Sequence, residues 1–227
     1  MAARAHSTAD YLEALYFLAF PIGEYGPIVG RGPAPAARVA ELLGVSAATA
    51  SEALKRLESD GLVSRASGRP VLTDLGRTEA ERIVRNHRII ERFLTDFMDY
   101  TPAESHEHAD AMGDAFDDDM IGRLADRLGH PERCPHGWPI DTAFEQAENR
   151  DLRPLAAIDA PATVTIVRLA EHNGGLLHWF YEHELVPGTR LELTAAEPAA
   201  GQRTIRVDGR LREVSDTAAA GLYVRVD

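Results

Sequence analysis

Apolar residues recur at helical spacing three times within the first 60 residues of the chain. Each stretch also carries an end signal, either a Ser or Thr near its start or a glycine just beyond its last apolar residue. The pattern predicts three helices over about 8–20, 35–43 and 47–60, with Ser46 as the N-cap of the third. Residues 21–35 are rich in proline and glycine, which predicts a long loop.

Two short segments of strand character follow the third helix, at about 62–66 and 70–73. Helix, glycine turn, helix and hairpin in this order predict a winged helix-turn-helix in which 47–60 is the recognition helix. Small outward side chains there would permit close approach to bases, and basic ones would reach phosphates. The predicted DNA-binding residues are Ser46, Ala48, Thr49, Ser51, Glu52, Lys55, Arg56, Arg65 and Arg69. The alternative interpretation is an αα-hairpin packed in a core.

Beyond residue 74 the helical spacing continues, and it later gives way to alternation of apolar and polar residues. Helices are predicted over about 75–97, 102–116 and 117–128. The last has a narrow apolar stripe, which is typical of a helix that packs on another chain. Residues 150–161 are interpreted as a linker to a small, separate, barrel-like domain. Its predicted elements are a strand from Thr163, a helix over 174–184 and strands near 189–194, 203–207, 210–214 and 222–226.

The net charge of the chain is −12 over 227 residues. An acidic total argues against a general polyanion binder, because non-specific affinity for nucleic acid comes mostly from Lys and Arg. The charge is uneven, however: residues 1–73 carry 7 basic and 7 acidic side chains, 74–155 carry 10 and 19, and 156–227 carry 7 and 10. The predicted DNA-binding region is therefore neutral, and bound cations would offset part of the acid excess in the middle.

Hydropathy and cysteine content restrict the expected location and chemistry. No apolar run approaches the ~20 residues that span a bilayer, and no charged-then-apolar leader opens the chain, so we expect a cytoplasmic protein with no membrane partner. The single cysteine, Cys134, excludes an intrachain disulfide framework and a Cys-rich zinc site built from this chain alone. Cys134 and His136 form a Cys-x-His pair, which we interpret as packing a loop.

Three predicted helices carry ionisable residues three or four positions apart, so each set shares a helix face. If the helices pack together, two histidines and several carboxylates converge, and a divalent cation would compensate their burial. The alternative for each set is a solvated surface, where an exposed pair contributes only ~0.3–0.5 kcal/mol. The residues are Asp10 and Glu13, His87 and Glu91, and His106, Asp110 and Asp114.

Several longer runs of sequence resemble the diphtheria toxin repressor family of metal-dependent transcriptional repressors. The similarity covers nearly the whole chain, and the C-terminal part resembles the FeoA-like SH3 barrel of that family. The runs that carry the resemblance are 10–13, 58–63, 85–94, 129–131, 134–137, 139–140 and 185–188.

The resemblance implies a homodimer that binds double-stranded operator DNA when Mn²⁺ or Fe²⁺ is held between its DNA-binding and dimerisation domains. The expected fold class is α+β, with a winged helix-turn-helix domain over 1–74, a helical metal-binding and dimerisation domain over 75–150, and an SH3-like β-barrel over 156–227. The expected function is metal-dependent repression in manganese or iron homeostasis. We expect no enzymatic activity, because the sequence contains no recognised catalytic motif.

The resemblance also implies metal-ligand positions in this chain. The residues that match them are Asp10, Glu13, His87, Glu91, His106 and Glu171. Asp110 stands where the family has Cys or Glu, whereas Gly113 and Asp114 replace an expected Glu–His pair. One ligand is therefore lost and another changes from nitrogen to oxygen. The candidates to replace the lost ligand are Glu107, His108 and His172.

The ligand set expected from the resemblance is rich in oxygen, contains imidazole and lacks thiolate. Such a set suits Mn²⁺ better than Zn²⁺ or Cu²⁺, with Fe²⁺ as the alternative, and we expect one or two ions per subunit. Two other functions stay open. One is a winged-helix regulator that senses a small organic ligand through the C-terminal barrel, and the other is a metal-dependent hydrolase that uses the same side chains.

Overall fold

The computed structural model describes residues 6–19, 35–66, 68–171, 173–197 and 199–227, without the side chains of Pro35 and Asp114. The predicted loop at 21–35 and the candidate ligand His172 lie outside the described residues. The described residues form two compact units, one ending at Arg85 and the other beginning at Asn86. Among the described residues, no helix is both long enough and apolar enough to cross a membrane.

The first unit is a winged helix-turn-helix, as the sequence pattern predicts. The side chain of Ser46 caps the third helix by accepting the Thr49 backbone N–H at 3.1 Å. Tyr16, Val39 and Leu54, one from each of the three helices, are fully buried, and the helices pack on one another. The elements are α1 (Thr8–Ala19), α2 (Pro35–Leu42), α3 (Ala47–Ser59), β1 (Val63–Ala66) and β2 (Arg69–Leu72).

Helix α4 (Asp74–Phe97) begins directly after the hairpin, in close contact with the segment that precedes β1. A Cβ atom at Gly76 would lie 1.8 Å from the carbonyl oxygen of Leu62, so only glycine fits here. The Thr73 hydroxyl donates to the Gly61 carbonyl at 2.7 Å, and the Thr73 N–H donates to the Leu62 carbonyl at 3.0 Å. These contacts fix the start of α4 against the hairpin.

The helices of the second unit surround an apolar core formed by Ile90, Leu94, Ala109 and Ile121. Helix α5 is shorter than the predicted 102–116. Its last turn tightens into a 3₁₀ turn over Gly113–Ala115, because the chain must extend before the N-cap residue of the next helix. The elements are the second half of α4, α5 (Pro102–Met112), α6 (Asp118–Arg127) and α7 (Thr142–Glu148).

The strands of the second unit form one antiparallel sheet with the order β3-β8-β4-β5-β6-β7. Within the part of the chain that the structure describes, β3 and β7 are the edges of this sheet, so the expected SH3-like domain is present as an antiparallel sheet that does not close into a barrel. The elements are β3 (Arg153–Pro154), β4 (Ala162–Leu169), α8 (Gly174–Glu182), β5 (Arg190–Glu197), β6 (Gln202–Val207), β7 (Arg210–Ser215), α9 (Asp216–Ala220) and β8 (Leu222–Val226).

The segment 150–161 is not the linker that the sequence indicated. Leu152, Leu155 and Ile158 are buried, and Pro154 pairs with Tyr223 of β8. Leu155 and Ile158 belong to the same apolar core as the strands of the sheet, which explains why the segment is ordered against the sheet. The sheet and the helices from Asn86 onward form one compact unit.

Candidate metal centre and DNA-recognition surface

The centre of the candidate metal site is the carboxylate of Glu91, which is fully buried on α4. Its Oε1 lies 3.0 Å from His87 Nε2, one helical turn earlier, and 2.9 Å from His106 Nδ1 on α5. Asp110, one turn beyond His106, places Oδ1 3.1 Å from His87 Nδ1. The i, i+4 spacings found in the sequence therefore converge, and His87, His106 and Asp110 bring ligand atoms within 4.8 Å of one another.

A second set of potential ligands meets the same carboxylate from its other side. Nδ1 of His136 lies 3.3 Å from Glu91 Oε1 and 3.4 Å from Oε2 of Glu171, which follows β4. The thiol sulfur of Cys134 lies 3.9 Å from His136 Nδ1. Glu91, Cys134, His136 and Glu171 are all buried, and each offers a ligand atom within 4.8 Å of the others.

The loop that carries Cys134 and His136 is fixed to β4 by backbone hydrogen bonds. The Leu169 N–H of β4 donates to the His136 carbonyl at 3.0 Å, and within the loop the Gly137 N–H donates to the Cys134 carbonyl at 3.0 Å. Gly137 has a φ of 88° and approaches β4 so closely that a Cβ atom would lie 2.1 Å from the Val167 carbonyl oxygen. Only glycine permits this approach, which holds both side chains against Glu91.

The electrostatics of the centre follow from carboxylates that face imidazoles in a buried space. Burial alone would raise the pKa of the Glu91 carboxyl, but the nearby His136 and His87 lower it well below its usual range. Burial would lower the pKa of His136, but Glu91 raises it well above the usual histidine value. The pKa of His106 is raised as well, despite its burial, by its hydrogen bond to Glu91. Protons and a metal cation therefore compete for the imidazole nitrogens that face Glu91.

The side chains present fit a bound divalent cation. Among the described residues, Glu91 Oε2 has no hydrogen-bond partner although it is buried, and such an atom is costly unless a ligand satisfies it. Imidazole and carboxylate are the donors that Mn²⁺ and Fe²⁺ accept. A bound cation would be held by His87, Glu91, His106, Asp110 and Glu171, and its positive charge would offset the buried carboxylates.

Other predicted ligands lie elsewhere in the chain. Asp10 and Glu13 lie on α1 of the first unit, where Asp10 Oδ2 accepts the Ser7 backbone N–H at 2.7 Å, as an acid in a capping box does. The side chain of Asp114 lies outside those described. Gly113 is exposed, with nothing within 4 Å of where a Cβ would be.

The proposed substitutes for the lost ligand receive no support from the described residues. Glu107 and His108 are exposed, and neither belongs to a described group of potential metal ligands. The His108 ring instead lies 4.5 Å from the ring of Tyr100. Cys134 and His136 were predicted to pack a loop, and both side chains also lie beside Glu91. The Cys-x-His spacing was the signal in the sequence that could have indicated this. It was not sufficient, because the carboxylates that lie beside the pair, Glu91 and Glu171, are distant from it in the chain.

The predicted DNA-binding residues form the outward side of α3 and of the hairpin. All are exposed except Ser51, which is half-buried. The Ser46 and Thr49 hydroxyls lie 2.8 Å apart at the start of the helix, so both belong to the cap. Arg65 forms an ion pair with Glu58 at 2.6 Å, which a phosphate would have to replace or share.

A winged helix-turn-helix, followed by helices whose histidines and carboxylates converge, defines a metal-responsive DNA-binding regulator. Comparison with known proteins agrees. The chain matches the iron dependent repressor N-terminal DNA binding domain over residues 5–69, the iron dependent repressor metal binding and dimerisation domain over 73–142, and the FeoA domain over 153–226. It therefore belongs to the iron-dependent repressor family, a family of metal-dependent transcriptional repressors.

Relatives of known function support this assignment. The iron-dependent repressor IdeR of Mycobacterium tuberculosis is 32% identical over 186 residues, which cover 76% of this chain and 80% of IdeR. The diphtheria toxin repressor of Corynebacterium diphtheriae is 39% identical over 143 residues, covering 60% of this chain and 63% of that protein. A manganese-dependent transcriptional repressor, solved in complex with manganese, superimposes with a TM-score of 0.85 at 30% identity and covers 97% of this chain and 100% of its own.

Proposed function

We propose that this chain is a homodimeric repressor in the cytoplasm that binds operator DNA when Mn²⁺, or alternatively Fe²⁺, binds, and so controls manganese or iron homeostasis. We propose that it is not an enzyme. Its relatives include repressors named for iron and a neighbouring structure named for manganese, which supports both metals. The observation that carries the proposal is the convergence of His87 and His106 on the buried Glu91, with Asp110 beside His87.

The proposed ligands fall into two sets. The described geometry supports His87, Glu91, His106, Asp110 and Glu171, which belong to one compact unit. The family resemblance alone supports Asp10, Glu13 and Asp114. We propose one or two ions per subunit, since the described residues contain two groups of potential ligands, one with four donor atoms and one with three.

The proposed response to metal is a shift in population from a conformation that does not bind operator DNA to one that does. The cation must bind the DNA-competent arrangement more tightly than the other, because equal affinity for both shifts nothing. Linkage then requires operator DNA to raise metal affinity by the same factor by which metal raises operator affinity.

DNA contact is proposed to use the exposed side of α3 in the major groove. Ala48, Thr49 and Ser51 are small enough for close approach to base edges, and Ser46 and Glu52 flank them. Lys55, Arg56, Arg65 and Arg69 would contact phosphates. Dimerisation is proposed to use α6, which carries an exposed Met120 and lies within the matched metal-binding and dimerisation domain.

The test is operator binding measured with and without metal. A duplex is first selected from a random library in the presence of Mn²⁺ and then titrated by fluorescence anisotropy at fixed salt, in Mn²⁺, Fe²⁺ under anaerobic conditions, or chelator. We expect Mn²⁺ or Fe²⁺ to tighten binding at least about tenfold, the coupling typical of such linkage. His87→Ala is expected to abolish this response while the protein still elutes as a dimer in size-exclusion chromatography.

The matched control is His178→Ala. His178 and Glu182 are also an i, i+4 pair on a helix, at 3.6 Å, but both side chains are exposed. This variant should retain the full metal response. Equal operator affinity in metal and in chelator would overturn the proposal, and full binding in chelator would favour a sensor of an organic ligand. Metal-dependent turnover of a phosphoester or peptide panel would instead favour a hydrolase.

A further inference from the structure

Helix α3 carries an uncompensated carboxylate on the surface that is proposed to meet DNA. The helix contains two acidic residues, Glu52 and Glu58. Glu58 is half-buried, and its Oε1 lies 2.6 Å from Nη2 of Arg65, so a neighbouring guanidinium balances its charge. Glu52 is exposed, and none of the described residues forms an ion pair with it. Its charge is therefore left for solvent or a binding partner to satisfy.

Glu52 lies on the same side of α3 as the proposed contacts to DNA. Ala48 is four residues before it and Lys55 is three residues after it, so the three residues share a helix face. All three are exposed, whereas Leu54 is fully buried on the opposite side. Because Ala48 and Thr49 are small, the helix can approach the groove closely at this point, and the longer Glu52 side chain can then reach the base edges.

A carboxylate in the major groove needs a hydrogen-bond donor, because its oxygens only accept and the phosphates on both sides repel it. Among base edges in that groove, only the amino groups of cytosine and adenine donate. Adenine presents the acceptor N7 beside its amino group, which disfavours another acceptor. Cytosine presents its N4 amino group without such a neighbour. Cytosine is therefore the base that a carboxylate selects.

We propose that Glu52 is a specificity-determining residue that accepts a hydrogen bond from the N4 amino group of one cytosine in the major groove of the operator. The inference deepens the proposed function and rests on it only in that α3 enters the major groove. At a duplex without cytosine in that position, the loss of water from the carboxylate and its repulsion by phosphates are not offset. Glu52 thus acts against the wrong sequence as well as for the right one.

The test compares the base preferences of the wild-type chain and of Glu52→Gln. Each protein selects duplexes from a random library in Mn²⁺ and, separately, in chelator, and the enriched duplexes are sequenced. An amide both donates and accepts, so it can pair with N6 and N7 of adenine. We expect one position of the enriched motif to change from cytosine in the wild type to adenine in Glu52→Gln.

Anisotropy titrations at fixed salt then measure the size of the preference. Exchange of the selected cytosine for adenine should weaken binding by the wild type at least about fivefold, the lower limit of the usual loss for one wrong base pair, and should not weaken binding by Glu52→Gln. Glu52→Ala should lose the cytosine preference without gaining another. The matched control is Glu41→Gln: Glu41 is an exposed acid of α2 that pairs with Arg38 at 2.8 Å, and its replacement should leave the motif unchanged.

The outcomes separate this inference from the proposed function. An unchanged motif in Glu52→Gln, or tighter binding of that variant to every duplex with no change in base preference, would overturn the inference. Selection that depends on metal would in either case leave the proposed function intact. A change from cytosine to adenine in both Mn²⁺ and chelator would support the inference and contradict the proposed function. Absence of an enriched motif in both conditions would contradict both.

Discussion

Two clusters of buried charge in the second unit differ in how their charges are balanced. Around Trp138, Arg88 pairs with Glu145 at 2.6 Å and Arg168 pairs with Glu148 at 2.6 Å. Both guanidinium groups also lie over the Trp138 ring, at 5.5 and 5.0 Å from its centre. Around Glu91 no described arginine forms an ion pair with the carboxylate, and its partners are imidazoles.

The difference separates a structural cluster from a binding site. Guanidinium groups are always charged, so the carboxylates of the Trp138 cluster are neutralised by the protein itself. An imidazole neutralises a carboxylate only by holding a proton, and a cation can take the place of that proton. Both clusters contain buried carboxylates, but we expect them to respond differently to mutation and to metal.

The largest expected effect is on folding, in the Trp138 cluster. Arg168→Met removes the buried guanidinium that bonds to Glu148 at 2.6 and 3.0 Å and to Asn149 at 2.6 Å, and leaves Glu148 with the partly exposed Arg133 and Arg225. We expect the free energy of unfolding, measured by urea denaturation, to fall by about 3–5 kcal/mol. Metal affinity of the folded variant should change less than about twofold. A loss of metal affinity without a loss of stability would contradict the distinction between the clusters.

The second expected effect concerns Glu91, where metal affinity should change more than the stability of the fold. Glu91→Gln retains the shape of the side chain but removes the charge that His87, His106 and His136 face, so we expect metal affinity to fall by about 100-fold, or about 2.7 kcal/mol. The unfolding free energy of the metal-free protein should fall by less than in Arg168→Met, because the imidazoles can release their protons when the carboxylate is lost. Calorimetric titration and urea denaturation measure the two quantities. Glu182→Gln, in the exposed i, i+4 pair, is the control and should alter neither.

A smaller effect is expected from metal on stability. A ligand that binds only the folded state at ten times its dissociation constant stabilises by about 1.4 kcal/mol. We expect this increase for the wild-type protein in Mn²⁺ and its loss on addition of chelator, with thermal unfolding as the measurement. Arg168→Met should gain as much as the wild type from metal, and Glu91→Gln should gain nothing at the same concentration. A gain in Glu91→Gln would place the metal elsewhere.

The smallest expected effect is a pH dependence of the Trp138 cluster. Burial would raise the pKa of Glu148, but Arg133 and Arg168 lower it below the usual value. A lowered folded-state pKa stabilises the protein above the unfolded-state pKa of about 4.3, and this stabilisation is lost as pH falls through the folded-state pKa. The difference in unfolding free energy between wild type and Glu148→Gln should therefore shrink as the pH is lowered below about 4.3. A difference independent of pH would show that Glu148 stabilises by packing.

The fold was predictable where its causes are local. Ser46 caps α3 through a residue three positions away, and the spacing of His87 and Glu91 on one helix was visible in the sequence. The meeting of Glu91 with His136 and Glu171 was not, because it depends on a loop and a strand that are distant in the chain. The ordering of 150–161 was missed for the same reason, since its apolar residues are buried by a sheet formed further along.

The most direct test of the central claim is anomalous diffraction from crystals soaked in Mn²⁺, recorded with and without chelator. The claim is that the carboxylate of Glu91, surrounded by imidazoles, is the centre of the metal site. We predict an anomalous peak within bonding distance of Glu91, with His87 or His106 as a further ligand, that disappears in Glu91→Gln. Well-occupied Mn²⁺ peaks elsewhere in the chain with none at Glu91 would contradict the claim.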